Sequence, residues 1–210
     1  MTEELEEYIE GHISPEPPYL KRLYRDTYLT TTYPRMCSGH VQGRILAMLS
    51  RLARPSRIIE LGTFTGYSAL CLAEGLAPGG ELHTVELDDE FEDRLLETFA
   101  SSPYGDVIQL HIGDALEIIP ALEGGWNLAF IDANKRYYIE YYEALLPRMN
   151  PGGIILADNT LWSGKVAVTP PPRDAQSLGI LAFNDHVAAD PRVEVSILPI
   201  RDGLTVIRVK

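Results

Sequence analysis

Cysteine is scarce in this sequence, and neither of its two cysteines stands in a metal-binding pattern. Cys37 and Cys71 are isolated among other residue types, with no CxxC pair and no Cys/His cluster. A structural zinc site is therefore disfavoured. We expect both cysteines to be buried free thiols, which suits a reducing compartment.

Long apolar runs and basic clusters are missing as well. No stretch approaches the roughly 20 apolar residues that cross a bilayer, and residues 1–7 lack the basic start and apolar core of a signal peptide. We therefore expect a cytoplasmic protein with no membrane partner. The formal net charge is −12, and the sequence contains no run of lysine and arginine that would form a basic patch. A nucleic-acid partner is disfavoured, whereas a cationic cofactor suits such a field.

The apolar content is that of an ordinary folded domain. With 210 residues, of which 45% are hydrophobic, the chain is long enough to bury one core. We expect a single domain over residues 1–210, in which residues 1–55 form an N-terminal helical extension. The helical spacing of apolar residues over 19–24 and 41–52 supports that extension.

Strand-like and helix-like segments alternate after residue 57. Short apolar runs stand at 58–61, 82–86, 107–110, 128–131 and 154–157, and helix-length segments at 67–76, 90–100, 115–122 and 138–149. This alternation predicts an α/β fold whose mostly parallel sheet carries helices on both faces. Two further strands, 193–198 and 204–209, flank an Asp-Gly link and predict a C-terminal antiparallel hairpin.

Glycines and acids collect where the predicted strands end. The first strand leads into Gly62 and Gly66, the second ends at Glu86, the third is followed by Asp114, and the fourth ends at Asp132. Ligands of open α/β sheets bind beyond these carboxyl ends. The glycine spacing is not that of a GxGxxG dinucleotide site, and no phosphate-binding P-loop exists, so a cationic nucleoside without phosphates fits best. The alternative is that the glycines form a tight turn and the acids cap helices.

Three segments resemble the metal-dependent O-methyltransferases, the family of caffeoyl-CoA and catechol O-methyltransferases. They are ELGTFTGYS at 60–68, DANK at 132–135 and ADNTLWSGKV at 157–166. The resemblance extends from about residue 8 to the turn at 202–204. It implies a Rossmann-like methyltransferase fold with a seven-stranded sheet, S-adenosylmethionine as methyl donor, and a homodimer to which the N-terminal helices contribute.

The resemblance also implies a set of cofactor-binding residues. Glu60, Gly62 and Ser68 would hold the methionine part, Glu86 the ribose, and Asp114 with Ala115 the adenine. Met36 would belong to a cofactor lid, although filling of the core is its alternative. The complete expected set is Met36, Glu60, Gly62, Thr63, Phe64, Ser68, Glu86, Asp114, Ala115 and Asp132.

Three oxygen donors follow two neighbouring strand ends. Asp132, Asp158 and Asn159 offer two carboxylates and one amide, a set that suits magnesium, calcium or manganese. By resemblance, Lys135 acts as general base at the substrate; its alternative is a solvated surface lysine. Trp162 would be an aromatic wall for the acceptor, or else ordinary core packing.

The function implied is methyl transfer from S-adenosylmethionine to a hydroxyl of a small catechol-like or hydroxycinnamoyl-type aromatic. A hydroxylated wobble uridine of tRNA is the alternative acceptor, because some bacterial family members that resemble this chain methylate that base. A nucleoside-binding module without turnover and a nicotinamide oxidoreductase are the other hypotheses. Plant members have Asp where Asn134 stands, and the proline-rich stretch 167–179, expected to be an acceptor-side loop, carries no substrate signature.

Overall fold

The computed structural model describes residues 3–170 and 172–210 of the chain. Eight α-helices in these ranges are α1 Glu3–His12, α2 Pro18–Thr30, α3 Gly39–Ala53, α4 Tyr67–Ala73, α5 Glu92–Ala100, α6 Ala115–Ala121, α7 Tyr138–Leu145 and α8 Ala175–Ala189. The seven strands are β1 Arg57–Leu61, β2 Glu81–Glu86, β3 Ile108–Ile112, β4 Trp126–Ile131, β5 Met149–Asp158, β6 Val193–Leu198 and β7 Leu204–Val209. The expected domain range of 1–210 includes Met1, Thr2 and Pro171, which lie outside the described residues.

The strands form one sheet in the order β3-β2-β1-β4-β5-β7-β6. Strands β1 to β5 pair in parallel, and β7 inserts antiparallel between β5 and β6. The predicted fold class is confirmed, including the C-terminal hairpin. Strand order reverses between β1 and β4, so the loops after these two strands diverge and leave a crevice at the carboxyl edge.

Two apolar layers cover the sheet, because successive side chains of a strand point to opposite faces. Along β1, Ile59 and Leu61 join the core formed with α6, α7 and α8, whereas Ile58 joins the core formed with α3 and α4. All three side chains are completely buried. Burial on both faces explains why these parallel strands read as continuous apolar runs.

The N-terminal helices cover the second of these layers. Helix α3 packs closely on α4, and Gly43 leaves no room for a larger residue, since a Cβ there would lie 2.7 Å from the ring of Tyr67. The predicted helices in residues 1–55 are therefore present. Cys37 and Cys71 are both buried and unpaired, as expected. None of the described helices combines the length and apolar character that a membrane crossing requires.

The stretch 167–179 is not a loop throughout. Helix α8 begins at Ala175, where Asp174 accepts a hydrogen bond from the Ser177 N–H at 3.0 Å and caps the helix. The sequence pattern did not predict this helix. Three predicted helices also end earlier than expected: α4 ends at Ala73, α6 ends one residue early at Ala121, and α7 ends at Leu145 before a short 3-10 turn.

Candidate active site

A cavity of about 1250 Å³ opens at the carboxyl edge of the sheet, above the point where β1 and β4 diverge. Its walls come from the loops after β1, β2, β3, β4 and β5 and from the segment between α2 and α3. The sequence-predicted residues that line it are Met36, Gly62, Thr63, Phe64, Ser68, Glu86, Asp114, Ala115, Asp132, Lys135, Asp158, Asn159 and Trp162. The structure therefore brings these separate predictions together in one place.

Gly62 begins the loop after β1 and has to be glycine. Its φ is +94°, and a Cβ at this position would lie 2.2 Å from the backbone oxygen of Asp132. The backbones of β1 and β4 are joined here, since the Asp132 N–H donates to Leu61 O at 2.9 Å. This close approach holds the loop after β1 against the carboxyl edge of the sheet, so a ligand has space over the loop.

Glu60 is fully buried at the end of β1, just below this loop. Thr84 Oγ1 donates to its Oε2 at 2.5 Å, but its Oε1 has no hydrogen-bond partner among the described residues. Burial raises the pKa of Glu60 to about 8, helped by the charges of Asp132 and Glu86 and opposed by the Thr84 hydrogen bond and the nearby Ser68 hydroxyl. The unpartnered oxygen is a ready acceptor for a cationic or N–H group.

Glu86, at the end of β2, is held by three backbone N–H groups. Its Oε2 accepts from Thr63 at 3.1 Å and from Phe64 at 2.7 Å, and its Oε1 accepts from Asp88 at 3.0 Å. The carboxylate therefore ties the loop after β1 to the end of β2. A carboxylate oxygen has capacity for more than one hydrogen bond, so Glu86 can also accept from ligand hydroxyls.

The remaining expected cofactor residues surround this pair. Asp114 is exposed and caps α6 by accepting from the Leu116 N–H at 2.8 Å, and the buried Ala115 follows it. Ser68 is buried in the first turn of α4. Met36 is 57% exposed at the cavity rim, which contradicts core filling and is compatible with a lid.

Asp132 and Lys135 form an ion pair at the end of β4. Lys135 Nζ donates to Asp132 Oδ1 at 2.6 Å, and Lys135 is only 7% exposed. The alternative of a solvated surface lysine is therefore wrong. The amine lies 5.0 Å from the ring centre of Tyr138. Tyr138 in turn donates its hydroxyl to the backbone oxygens of Ile131 and Asp158, both at 3.1 Å, and so holds β4 and β5 together at this edge.

Asp158, the last residue of β5, is buried next to this pair. Burial and the charge of Asp132 raise its pKa to about 6, whereas the Gln42 amide and Lys135 act in the opposite direction. Asn159 follows with φ +60°, a left-handed conformation that asparagine tolerates better than most residues. The backbone therefore turns sharply directly after Asp158, at Asn159.

The turn before β7 fixes the loop after β5. The N–H groups of Thr160 and Leu161 donate to the backbone oxygens of Gly203 and Asp202, at 3.1 and 2.8 Å. The Ser163 N–H donates to the Asp202 carboxylate. This anchored loop positions Trp162, which is half-buried, packs on the core and lines the cavity, so both of its expected roles are compatible with its place.

Sequence reasoning missed several wall residues that are far from the motifs in the chain. Tyr28, Arg94, Gln176 and Arg201 all line the cavity. Helix α8 reaches the site because Gly179 packs directly against the backbone of Lys135. A Cβ at residue 179 would lie only 2.3 Å from the Lys135 backbone oxygen. Asn134 is exposed at the rim and accepts from the Arg136 N–H at 3.2 Å, which caps the turn holding Lys135.

Two side-chain clusters lie outside the cavity. Glu143, His186 and Asp190 lie close together, and Arg192 contacts both acids at 2.6 Å, so its guanidinium offsets part of their negative charge. His83 and His111 lie 2.9 Å apart across β2 and β3. Strand pairing joins these two residues, which sequence spacing separates.

Comparison with known proteins identifies the family. Residues 10–210 match the sequence model of the O-methyltransferase family. This chain belongs to the O-methyltransferase family. Family membership confirms the predicted enzyme class, a methyltransferase that uses S-adenosylmethionine.

Individual members of the O-methyltransferase family cover almost the whole chain. Caffeoyl-CoA O-methyltransferase 1 of Eucalyptus globulus is 31% identical over 211 residues, which are 95% of this chain and 85% of the relative. Tricin synthase 2 of Oryza sativa subsp. japonica is 33% identical over 220 residues, 99% of this chain and 75% of the relative. The crystal structure of the O-methyltransferase TomG from Streptomyces achromogenes, in complex with SAM, matches with a TM-score of 0.91 and 28% identity, covering 100% of both chains.

Proposed function

We propose that this O-methyltransferase transfers a methyl group from S-adenosylmethionine to a hydroxyl of a small catechol-like or hydroxycinnamoyl-type aromatic, with a divalent cation held by Asp132, Asp158 and Asn159. The observation that carries the proposal is the meeting of two kinds of site in one cavity. On one side stand Glu86, at the end of β2, and the loop after β1, below which Glu60 is buried; on the other side the oxygen donors and Lys135 stand at the ends of β4 and β5.

The side chains around β1 and β2 fit the methyl donor. Glu60 offers a buried carboxyl oxygen without a partner, which suits the ammonium of the methionine part. Glu86 is already oriented by three backbone N–H groups and can accept from ribose hydroxyls. When bound, S-adenosylmethionine supplies an electrophilic methyl group on a sulfonium. The surrounding acids favour that positive charge.

The donor set at β4 and β5 fits a hard divalent cation. Two carboxylates and one amide are the ligands such ions prefer, and Lys135 is a single positive charge beside two acids. The raised pKa of Asp158 reports that burial beside Asp132 disfavours its ionised form. A bound cation would offset that cost, and it would lower the pKa of an acceptor hydroxyl and orient it.

Lys135 is the chain's general base in this proposal. Its amine contacts Asp132 at the cavity wall, and its backbone packs against α8 at Gly179. For this role the ammonium must first release its proton to solvent, which a cation bound to Asp132 and Asp158 would favour by replacing Lys135 as the partner of Asp132. The neutral amine would then take the proton of the acceptor hydroxyl, and a bound methyl donor would supply the methyl group and leave as a neutral thioether. Positioning of the oxygen in line with the methyl group removes much of the entropic barrier.

An aromatic side chain next to the oxygen donors suits a planar ring. Trp162, in the loop that follows Asp158 and Asn159, lines the cavity. Aromatic walls of this kind contact ring faces and edges favourably. The relatives named for caffeoyl-CoA and for tricin synthesis support phenolic acceptors for this chain too.

A labelled-methyl assay tests the acceptor and the cation together. The purified enzyme is incubated with S-adenosylmethionine labelled on the methyl group and, in parallel, with a panel of catechols, caffeoyl-CoA or bulk tRNA, with magnesium or with excess EDTA. We expect label in at least one aromatic diol and its loss with EDTA. Label in tRNA alone would show that the acceptor is RNA and not a small aromatic. Full activity in EDTA would refute the proposed role of the divalent cation.

The variant Asp158→Ala separates metal support from cofactor binding. We expect methyl transfer to be abolished while the calorimetric Kd for S-adenosylhomocysteine changes little, because Asp158 lies on the oxygen-donor side of the cavity. Asp185→Ala, which removes an exposed acid of α8, is the matched control and should retain full activity. Full, chelator-sensitive turnover by Asp158→Ala would refute the ligand assignment.

A further inference from the structure

Arg201 has a backbone conformation that favours glycine. It follows Ile200 in the turn before β7, which the Gly203 N–H closes by donating to Ile200 O at 2.8 Å. Its φ is +45°, a left-handed value that is unfavourable for a residue with a Cβ and that hairpin turns usually assign to glycine. The turn alone does not account for an arginine, so the contacts of its side chain are informative.

The side chain of Arg201 reaches the end of the segment between α2 and α3. Its Nη1 donates to Cys37 O at 3.3 Å, to Ser38 O, and to Gln42 Oε1 at 2.8 Å. Cys37 and Ser38 are the last two residues before α3, and both are buried. Hydrogen bonds from a charged donor are stronger than neutral ones. Arg201 therefore fastens this end of the segment to the turn before β7.

We refer to residues 31–38 as the wall segment, because all of them line the cavity. Its other end is held by α2. Thr27, in the last turn of that helix, donates its hydroxyl to Thr65 Oγ1, in the loop after β1, at 2.9 Å. The Thr31 N–H and hydroxyl both donate to Thr27 O, at 3.1 and 2.8 Å. The wall segment is therefore anchored to the loop after β1 at one end and to Arg201 at the other.

The middle of the wall segment has no such anchor. The hydrogen bonds that residues 32–36 make within the described part of the chain stay inside the segment, as from the Met36 N–H to Tyr33 O at 3.1 Å. Tyr33 and Met36 are 70% and 57% exposed. A stretch with few buried contacts opens at little cost in free energy. The position of the wall segment therefore depends on its two ends, and Arg201 supplies one of them.

We propose that Arg201 is a positioning residue for the methyl donor, which acts by holding the wall segment closed on the cavity before the donor binds. This inference rests on the proposed function, because it needs S-adenosylmethionine to occupy the side of the cavity around β1 and β2. A wall that is ordered beforehand improves affinity, since binding does not have to supply the free energy of ordering it. The same turn holds the loop after β5 through Asp202 and Gly203, so it joins the wall segment to the half with the oxygen donors.

The thiol of Cys37 reports the position of the wall segment without any ligand. Cys37 is buried within the segment, whereas Cys71 is buried on α4 and serves as the internal control. The purified protein is treated with iodoacetamide at pH 8, and labelling of each cysteine is followed by mass spectrometry of its peptide. In Arg201→Gly we expect Cys37 to react about 10- to 100-fold faster, the range for loss of hydrogen bonds to a charged group, and Cys71 to keep its wild-type rate.

Two further variants separate the guanidinium from the backbone. Arg54→Gly is the matched control, because Arg54 follows α3 with the same φ of +45° and is exposed. Glycine removes the same backbone strain there, and both cysteines should keep their wild-type rates. Arg201→Met keeps an unbranched side chain at the position but removes the donors. Cys37 should react faster in this variant as well, which distinguishes release of the segment from simple uncovering by glycine.

The response to a ligand tests whether the wall segment closes on the donor. Saturating S-adenosylhomocysteine should return the Cys37 rate of Arg201→Gly toward the wild-type rate, because a ligand that binds the closed state favours it. The calorimetric Kd of this variant for S-adenosylhomocysteine should rise about 10-fold, since part of the binding free energy then goes into ordering the segment. In steady-state kinetics, KM for S-adenosylmethionine should rise by more than kcat falls.

The outcomes separate the inference from the proposed function. Unchanged labelling of Cys37 in Arg201→Gly and Arg201→Met, or faster labelling of Cys71 together with Cys37, overturns the positioning role. Faster labelling of Cys37 alone also overturns it if S-adenosylhomocysteine does not slow the reaction and binds with an unchanged Kd. Failure of the proposed donor position has another signature: the wild-type protein does not bind S-adenosylhomocysteine, or Glu86→Ala binds it as tightly as the wild-type protein, whatever the thiols show.

Discussion

Lys135 Nζ lies 2.6 Å from Oδ1 of Asp132, three residues apart at the end of β4. This ion pair joins the group assigned as general base to a group assigned as metal ligand, so neither side chain acts independently. Gly179 packs against the Lys135 backbone and Tyr138 lies beneath its amine. The lysine is therefore held at the cavity wall by elements on both sides.

Replacement of this lysine should slow the chemical step more than it weakens binding. For Lys135→Met we expect kcat to fall about 10²- to 10⁴-fold, the usual contribution of a general base, with the Kd for S-adenosylhomocysteine within about twofold. Steady-state kinetics and calorimetry measure the two quantities. Lys165→Met, which removes an exposed lysine over Trp162, is the control. A kcat within tenfold of the wild-type value would contradict the assignment.

Glu86 should contribute to cofactor affinity rather than to turnover. In Glu86→Ala the hydrogen bonds to ligand hydroxyls are lost and the N–H groups of Thr63 and Phe64 lose their acceptor. We expect the Kd for S-adenosylhomocysteine to rise about 10- to 100-fold, as for hydrogen bonds to a charged group. Calorimetric titration measures it, and Glu97→Ala on α5 serves as the control. An unchanged Kd would exclude Glu86 from the cofactor site.

The sheet and most of the site could be predicted from the sequence, because both depend on local patterns. Apolar runs located the strands, and the residues that follow them are brought to one edge by the parallel arrangement itself. The insertion of β7 between β5 and β6 has no such signal, since pairing depends on contacts between distant segments.

Helix α8 and the contacts of Arg201 escaped prediction for physical reasons. The prolines before Ala175 suggested a loop, and α8 is apolar on several sides because it packs between α7 and the cavity, so its helical period is weak. Gln42 and Arg201 meet only in the folded chain. Met36 was ambiguous because apolar character alone does not distinguish a core residue from an exposed lid.

Cofactor binding should depend on pH through Glu60. The pKa of about 8 in the free enzyme means that this carboxyl is mostly protonated at pH 7, whereas an ammonium partner favours the ionised form. Binding of S-adenosylhomocysteine should therefore release a proton, and its affinity should rise with pH up to about 8. Calorimetry at pH 7 in two buffers of different ionisation enthalpy measures the released proton. Glu60→Gln should abolish the release; an equal release from this variant would assign the proton to another group.

The raised pKa of Glu60 has the opposite consequence for the stability of the free enzyme: higher pH should favour cofactor binding but lower the free energy of unfolding. Between the unfolded pKa of about 4.3 and the folded pKa of about 8, the native state holds the Glu60 proton more tightly than the unfolded chain. Its contribution to the free energy of unfolding should therefore fall as pH rises through this window. Urea denaturation at pH 6 and pH 8 should show less of this decline in Glu60→Gln than in the wild-type protein.

The two thiols should be unreactive in the folded enzyme. Burial raises the pKa of Cys37 to about 11 and raises that of Cys71 still further, and the residues are 4% and 0% exposed. Reaction with a disulfide reagent at pH 8 should be at least about 100-fold slower than for a free thiol, because little thiolate is present. Two equivalents should react in denaturant. Rapid labelling of either thiol without denaturant would contradict the buried environment.

The turn before β7 also sets an order of events when the protein is made. The backbone oxygens of Asp202 and Gly203 accept the hydrogen bonds that hold the loop carrying Asn159 and Trp162. These two acceptor residues come after strands β1 to β6 in the chain. On the ribosome, β1 to β5 are complete long before those acceptors emerge. A nascent chain can therefore form the half of the site around β1 and β2 first. The loop after β5, in the half that would hold a cation, lacks its hydrogen-bond acceptors until Gly203 has been added.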